Sequence, residues 1–118
     1  MLTVEEILSD VVASPGFRNM KAVNVNSRGE NGQTPLHWMA ILGDAVGIRL
    51  LVGAGASVNA VDDSGNAPLH EAVTWRQSSA ASALMELGAE TRLKNARGQS
   101  PKDLAESSGY GPVLVLFQ

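Results

Sequence analysis

There is no cysteine in the 118 residues, so neither a disulfide framework nor a thiolate metal site is available. Aromatic side chains make up only 4% of the chain, which leaves a core to be built from aliphatic and small residues. Basic charge is scarce as well. Nine Lys and Arg stand against 12 Asp and Glu, a formal net charge of -3, and this speaks against the concentrated basic face that nucleic acid demands. Arg92, Lys94, Arg97 and Lys102 do fall close together and read as a solvated loop rim. No apolar run approaches the ~20 residues that cross a bilayer. The opening Met1-Leu2-Thr3-Val4-Glu5-Glu6 carries two acids where a secretory leader needs positive charge. These absences point to a soluble, cytoplasmic protein. What is present, 44% hydrophobic and 18% charged residues, is too apolar for a disordered chain. The length suits one domain, and a chain of this size buries roughly 65% of the surface its unfolded form exposes.

The chain repeats itself. Gly32-Gln33-Thr34-Pro35-Leu36-His37 returns 33 residues later as Gly65-Asn66-Ala67-Pro68-Leu69-His70. It returns again after another 33, weakened, as Gly98-Gln99-Ser100-Pro101-Lys102-Asp103. A second landmark keeps the same phase: Gly55-Ala56-Ser57-Val58-Asn59 aligns with Gly88-Ala89-Glu90-Thr91-Arg92, and less well with Ala22-Val23-Asn24-Val25-Asn26.

Each unit reads as two short helices and a loop. Thr34 is an N-cap and Pro35 occupies the first helical position, where its missing N–H does no harm. Leu36, Met39 and Ala40 form the apolar stripe, and Gly43 ends the helix in a left-handed conformation. A second helix runs from about Ala45 to Val52 and stops at Gly53-Ala54-Gly55. An extended segment from Ser57 to Val61 and a turn at Asp62-Asp63-Ser64-Gly65 complete the unit. Helices this short are marginal alone and gain stability by stacking on copies of themselves.

With these residues the sequence resembles an ankyrin repeat protein: Gly-x-Thr-Pro-Leu-His, a glycine about eleven residues on, then Leu-Leu before Gly-Ala and a hydrophobic-Asn pair, from Gly32 to Asn59. The second copy departs from the pattern at Ala67, Arg76 and Thr91-Arg92, and the third has the polar Ser-Pro-Lys-Asp-Leu-Ala of a closing repeat. The resemblance covers residues 22–118. It implies an all-α repeat fold, an α-solenoid stack of helix-turn-helix units joined by β-hairpin-like loops. The division is an N-terminal cap or degenerate repeat over 1–31, repeats over 32–64 and 65–97, and a partial C-terminal repeat over 98–118. Arg76 in the glycine's place should strain or lengthen the inter-helix turn. In the cap, Thr3-Val4-Glu5-Glu6 has the form of a capping box. Val4, Ile7, Leu8, Val11 and Val12 follow helical spacing, Ser14-Pro15-Gly16 breaks the helix, and Phe17 and Met20 stand where a degenerate second helix would place core residues. The tail, Val113-Leu114-Val115-Leu116-Phe117-Gln118, is greasy for a closing repeat and reads as a helix. A natural end with a partly exposed helix is the preferred reading, ahead of a fragment of a longer array or a protease-site remnant.

Little here could do chemistry. His37 and His70 sit in register in the repeated motif, and stacked helices lie roughly 8–10 Å apart, whereas two imidazoles on one zinc each need contact at about 2 Å. The resemblance implies that they hydrogen-bond adjacent loops instead. Asp62 and Asp63 lack the further spaced ligands of a calcium loop and belong to a turn. Gly53-Ala54-Gly55 is a helix terminus, and no nucleophile motif or phosphate loop is present. The expectation is no enzyme, no cofactor and no metal.

The resemblance implies contacts from hairpin tips and from the inner face of each first helix. The tip positions are Glu30, Asn31 and Gln33, then Asp63, Ser64 and Asn66, then Ala96, Arg97 and Gln99. The helix positions are Ile41 and Leu42, Thr74 and Trp75, Ser107 and Ser108. Ile41, Leu42 and Trp75 are large apolar residues outside the core, and tryptophan is enriched at interface hot spots. The competing reading packs Trp75 over the Arg76 turn. Trp38, where the family pattern usually has leucine, is read as core facing the next repeat. The function expected is non-catalytic: a protein-protein interaction module binding a protein partner through its concave face, as adaptor, inhibitor or immunity-type neutraliser. The alternative is an architectural fragment of a longer array, or self-association through Leu114, Leu116 and Phe117.

Overall fold

In a computed structural model of the protein, residues 3–13 and 24–117 are described, and among them the regular structure is helical with no strand. The N-terminal helix α1 spans Val4–Ala13. Three helix pairs follow: α2 (Pro35–Leu42) with α3 (Ala45–Gly53), α4 (Pro68–Thr74) with α5 (Ser78–Glu86), and α6 (Pro101–Ser108) with α7 (Gly111–Leu114). Ser14-Pro15-Gly16, Phe17, Met20, Ala22 and Val23, and the side chains of Val11 and Val12, lie outside the described residues.

Each first helix starts from the same local chemistry. Thr34 Oγ1 accepts from the His37 N–H while the Thr34 N–H donates to His37 Nδ1 at 3.1 Å, and Pro35 opens the helix. Ser100 and Asp103 exchange the same two bonds, at 3.0 and 3.1 Å. Ala67 has no hydroxyl, so only half survives there: its N–H donates to His70 Nδ1 at 2.9 Å. In α1 the Glu6 N–H donates to Thr3 Oγ1 at 3.2 Å, and the Thr3 hydroxyl in turn reaches the Glu6 carboxylate. Gly43 and Gly109 end α2 and α6 in the left-handed region.

No pair would stand alone, because every one of these helices is shorter than the ~12–15 residues below which isolated helices are marginal in water. α2 packs on α3 and on α4, α4 on α5 and α6, α3 on α5, and α5 on α7, while α1 lies against α3 and α2. One continuous core results. Leu36, Ile48 and Leu51 fill the first pair, Leu69, Val73 and Leu84 the second, and Ala105 and Val113 the third, with Ile7 closing the N-terminal side. Buried Ala72, Ala80, Ala81 and Ala83 let the helices of the second pair approach closely, which is how a core short of aromatics stays filled.

Three details differ from the sequence reading, and at Arg76 one of its two alternatives holds. Ser57–Ala60 forms a turn, with the Ala60 N–H donating to the Ser57 carbonyl, rather than an extended segment. Asn26 of the preceding unit fixes it by accepting from the Ser57 N–H at 3.1 Å. Trp38 is only partly buried, packed against the rim of the core. The Arg76 turn keeps its length, since α5 begins 33 residues after α3, and its strain appears instead as a φ of 57°. At the C-terminus α7 stops at Leu114 and Val115–Phe117 continue as a 3-10 turn. Leu114, Leu116 and Phe117 are partly buried against the chain's own core, and Val115 is 59% exposed.

Candidate interaction surface

The loops between pairs close in one way. Gly29 N–H donates to the Gln33 carbonyl at 2.8 Å, Asp62 to Asn66 at 2.9 Å and Asn95 to Gln99 at 2.9 Å. The Asp62 carboxylate accepts from the Ser64 and Asn66 N–H groups, and the Asn95 amide oxygen from those of Arg97 and Gln99. That accounts for Asp62 as a turn residue. Adjacent tips are laced to one another, Asp63 N–H to the Asn31 carbonyl and Ala96 N–H to the Ser64 carbonyl, both at 2.9 Å. Gly32 and Gly65 are obligatory there. Both have positive φ, and a Cβ on Gly65 would lie 2.9 Å from the Ala96 nitrogen.

The histidines tie helix starts to these tips. With Nδ1 accepting a backbone N–H, the proton is assigned to Nε2, which donates to the Asn66 carbonyl from His37 at 2.7 Å and to the Gln99 carbonyl from His70 at 3.0 Å. Burial lowers both imidazoles below their ordinary pKa and keeps them neutral, against the raising effect of those carbonyl bonds. Neither is left to bind a metal. Among the described residues no group of three or more His, Cys, Asp or Glu could hold one.

Between the second and third tips lies a groove of about 450 Å³. Asp63, Ser64 and Asn66 form one wall and Asn95, Ala96, Arg97 and Gln99 the other, over a floor of Thr74 and Leu104. A hydrogen bond from the Asn95 side-chain NH2 to Asn66 Oδ1 at 2.8 Å joins the walls. At the ends of the first helices Leu42 is 57% and Trp75 58% exposed, and Trp75 directly follows Thr74 of the groove lining. The indole N–H of Trp75 donates to Glu71 at 3.2 Å, and burial raises the Glu71 carboxyl above its usual range while that bond lowers it.

The pattern "Ankyrin repeats (3 copies)" matches residues 3–95. The chain belongs to the ankyrin repeat family. It is similar to the probable palmitoyltransferase AKR2 of Saccharomyces uvarum, 35% identical over 91 residues that make 77% of this chain and 12% of that protein. Neurogenic locus notch homolog protein 1 of Homo sapiens is 35% identical over 85 residues, 72% of this chain and 3% of its own length. Target of rapamycin complex 2 subunit AVO2 of Saccharomyces cerevisiae is 31% identical over 93 residues, 75% and 22%. The chain therefore spans less than a quarter of each of these relatives.

On the ankyrin stack the residues singled out from sequence separate into groups. Asp63, Ser64, Asn66, Thr74 and Arg97 come together in the groove. Leu42 and Trp75 occupy equivalent positions one repeat apart, both exposed, and the Trp75 indole bonds back to Glu71 one turn earlier in α4. Glu30 and Asn31 are exposed on the first tip and Gln33 is partly covered, outside the groove. Ile41 is partly buried rather than free, because Gln77 of the next repeat lies against it and donates to its carbonyl at 2.8 Å. Ser107 and Ser108 are exposed. Sequence reading missed Asn95 and Leu104 in the groove and Glu71 beneath Trp75. The 33-residue register carried a signal for each, since Asn95 repeats Asp62, and Glu71 and Leu104 repeat Trp38.

Proposed function

We propose that this ankyrin domain is a non-catalytic binding module that takes a protein partner on the face formed by Leu42, Trp75 and the hairpin tips. The candidate contacts are Glu30, Asn31 and Gln33 on the first tip, Asp63, Ser64 and Asn66 on the second, and Arg97 on the third, with Ile41 and Thr74 beside the two exposed apolar residues. One observation carries the reading: Trp75, the residue type most enriched at hot spots, stays 58% exposed, directly after Thr74 of the groove lining. The module needs no cofactor and acts in the cytoplasm by occupying its partner's surface, as adaptor, inhibitor or immunity-type neutraliser.

Trp75→Ala separates binding from folding. Because the indole is exposed, the change should alter unfolding free energy by no more than about 0.5 kcal/mol, yet weaken partner binding by about 2 kcal/mol or more. Affinity capture from native lysate with the wild type beside a Leu42→Asp, Trp75→Ala variant identifies the partner, and titration calorimetry on that partner gives the loss. A fall of about 3 kcal/mol in stability would make Trp75 a packing residue and end its binding role. A second reading, self-association through Leu114, Leu116 and Phe117, is favoured only by the exposure of Val115 beside them. Light scattering at high concentration discriminates, since a chain that stays monomeric does not use that edge.

A further inference from the structure

We infer that the exposed indole of Trp75 and the Glu71 carboxylate at its edge together receive one arginine side chain of the protein partner. The inference rests on the binding role proposed above and gives its partner a chemistry.

The two groups are fixed against each other before a partner arrives. The indole N–H donates to Glu71 Oε2 at 3.2 Å, a bond between neighbours one turn apart on α4. That bond engages the rim of the ring, so the carboxylate lies beside the indole and not over it. With Trp75 58% exposed, a face of the ring is left to solvent. The carboxylate is open as well. Glu71 is partly buried, and among the described residues every side-chain oxygen or nitrogen cut off from solvent has a hydrogen-bond partner. Its second oxygen, which has none among them, is therefore accessible.

No cation among the described residues neutralises Glu71. The one ion pair there is Arg49 with Glu86, and the guanidinium next in sequence, that of Arg76, is engaged 5.3 Å from the centre of the Tyr110 ring. The Asp62 carboxylate adds negative potential at Glu71. An apolar group laid on Trp75 would thus shield an unpaired charge from water, and an acidic one would be repelled. A cation is attracted twice, by the face of the ring and by the carboxylate at its rim. Guanidinium suits both at once, because it is planar and can lie on the indole while directing an N–H past the rim, whereas a compact ammonium is a point charge without that fork. The pairing occurs once in the stack. The positions of Glu71 and Trp75 hold Trp38 and Leu42 in the unit before and Leu104 and Ser108 in the unit after, so one arginine is read and not a basic run.

A library of random peptides displayed on phage, selected against the whole chain and in parallel against Trp75→Ala, tests this. Peptides enriched by the first and not by the second should share one arginine. In a synthetic copy of such a peptide, citrulline in place of that arginine keeps the shape, removes the charge and should weaken binding about tenfold, and lysine should restore only part of the loss. Glu71→Gln keeps an acceptor for the indole N–H and should cost the arginine peptide about as much, yet cost the citrulline peptide little, because both changes remove one interaction. A merely structural role of Glu71 would weaken both peptides alike. Should Glu71→Gln melt lower than the wild type, the citrulline and lysine peptides on the unaltered chain decide. Peptides that need Trp75 but share no arginine, or losses at Glu71 and at the arginine that simply add, overturn the inference and leave the binding role standing. Failure to enrich any peptide, or enrichment indifferent to Trp75, counts against both.

Discussion

Arg76 holds a φ of 57° where the equivalent turns have Gly43 at 76° and Gly109 at 64°. A side chain in that region is disfavoured by roughly 1 kcal/mol or more relative to glycine. Something offsets part of this: the Arg76 guanidinium lies 5.3 Å from the centre of the Tyr110 ring, a contact worth about 0.5–1 kcal/mol at an exposed site. Two substitutions separate these opposing effects. Arg76→Ala keeps the strain and loses the contact, so it should destabilise by about 0.5–1 kcal/mol. Arg76→Gly loses the same contact but relieves the backbone, and should be more stable than the alanine variant by about 1 kcal/mol. Urea unfolding of both checks this, and equal midpoints would mean the turn stores no strain. The same residue shows a limit of sequence reading. A non-glycine at a glycine position announces a problem, but whether the turn lengthens or stays and strains depends on partners such as Tyr110, 34 residues away.

At the scale of elements, the join between one pair and the next rests on a buried neutral histidine reaching a carbonyl on the following tip. This makes the stack sensitive to acid in a defined direction. The folded imidazoles of His37 and His70 have lowered pKa values, so below the ordinary value of about 6.5 the unfolded chain takes up protons that the folded chain does not. Stability is therefore fully present above pH 6.5 and falls as pH drops towards the folded values, by up to about 1.4 kcal/mol per histidine per pH unit. Glu71 acts in the opposite sense, since its raised carboxyl pKa favours the folded state on acidification, but only lower, near the carboxylate range. Denaturant titrations at pH 7.5 and 6.0 isolate the imidazoles. His70→Gln should shrink the difference, and an unchanged difference would assign it elsewhere. Much of this scale was legible in sequence, because capping residues and periodic glycines act within a few positions and Thr34-Pro35 or Ser100-Pro101 reports itself. The turn at Ser57–Ala60 and the partial burial of Trp38 were not, being decided by Asn26 and by the neighbouring pair. The groove was half legible: register placed Asp63 and Arg97 on tips, while the bonds that bring the tips together have no local signature.

Across the whole molecule the interior is uneven. The first two pairs each bury three large aliphatic side chains, whereas the third contributes Ala105 and Val113, and the lacing thins in the same direction. Asn26 and Asn59 each bond the backbone of the next unit, at Ser57 and Glu90, but the register puts Arg92 where a third asparagine would stand. Asp103 likewise keeps only the local bond that His37 and His70 extend to a following tip. In a linear stack stability is a sum over units and their neighbours, so the unit with the smallest interior and fewest links opens first. Amide hydrogen exchange should therefore protect α2 to α5 most, with α6 and α7 exchanging through openings at least about 2 kcal/mol cheaper, the scale of one large buried aliphatic side chain. Equal protection in α4 and α6 would refute this and imply a single cooperative unit. The consequence reaches function, because the groove has one wall on the second tip and its other wall and Leu104 on the segment that frays. A segment bound there must hold the third unit closed, so binding should slow exchange in α6 more than in α2, and a partner resting on the second tip and Trp75 alone would leave α6 unchanged.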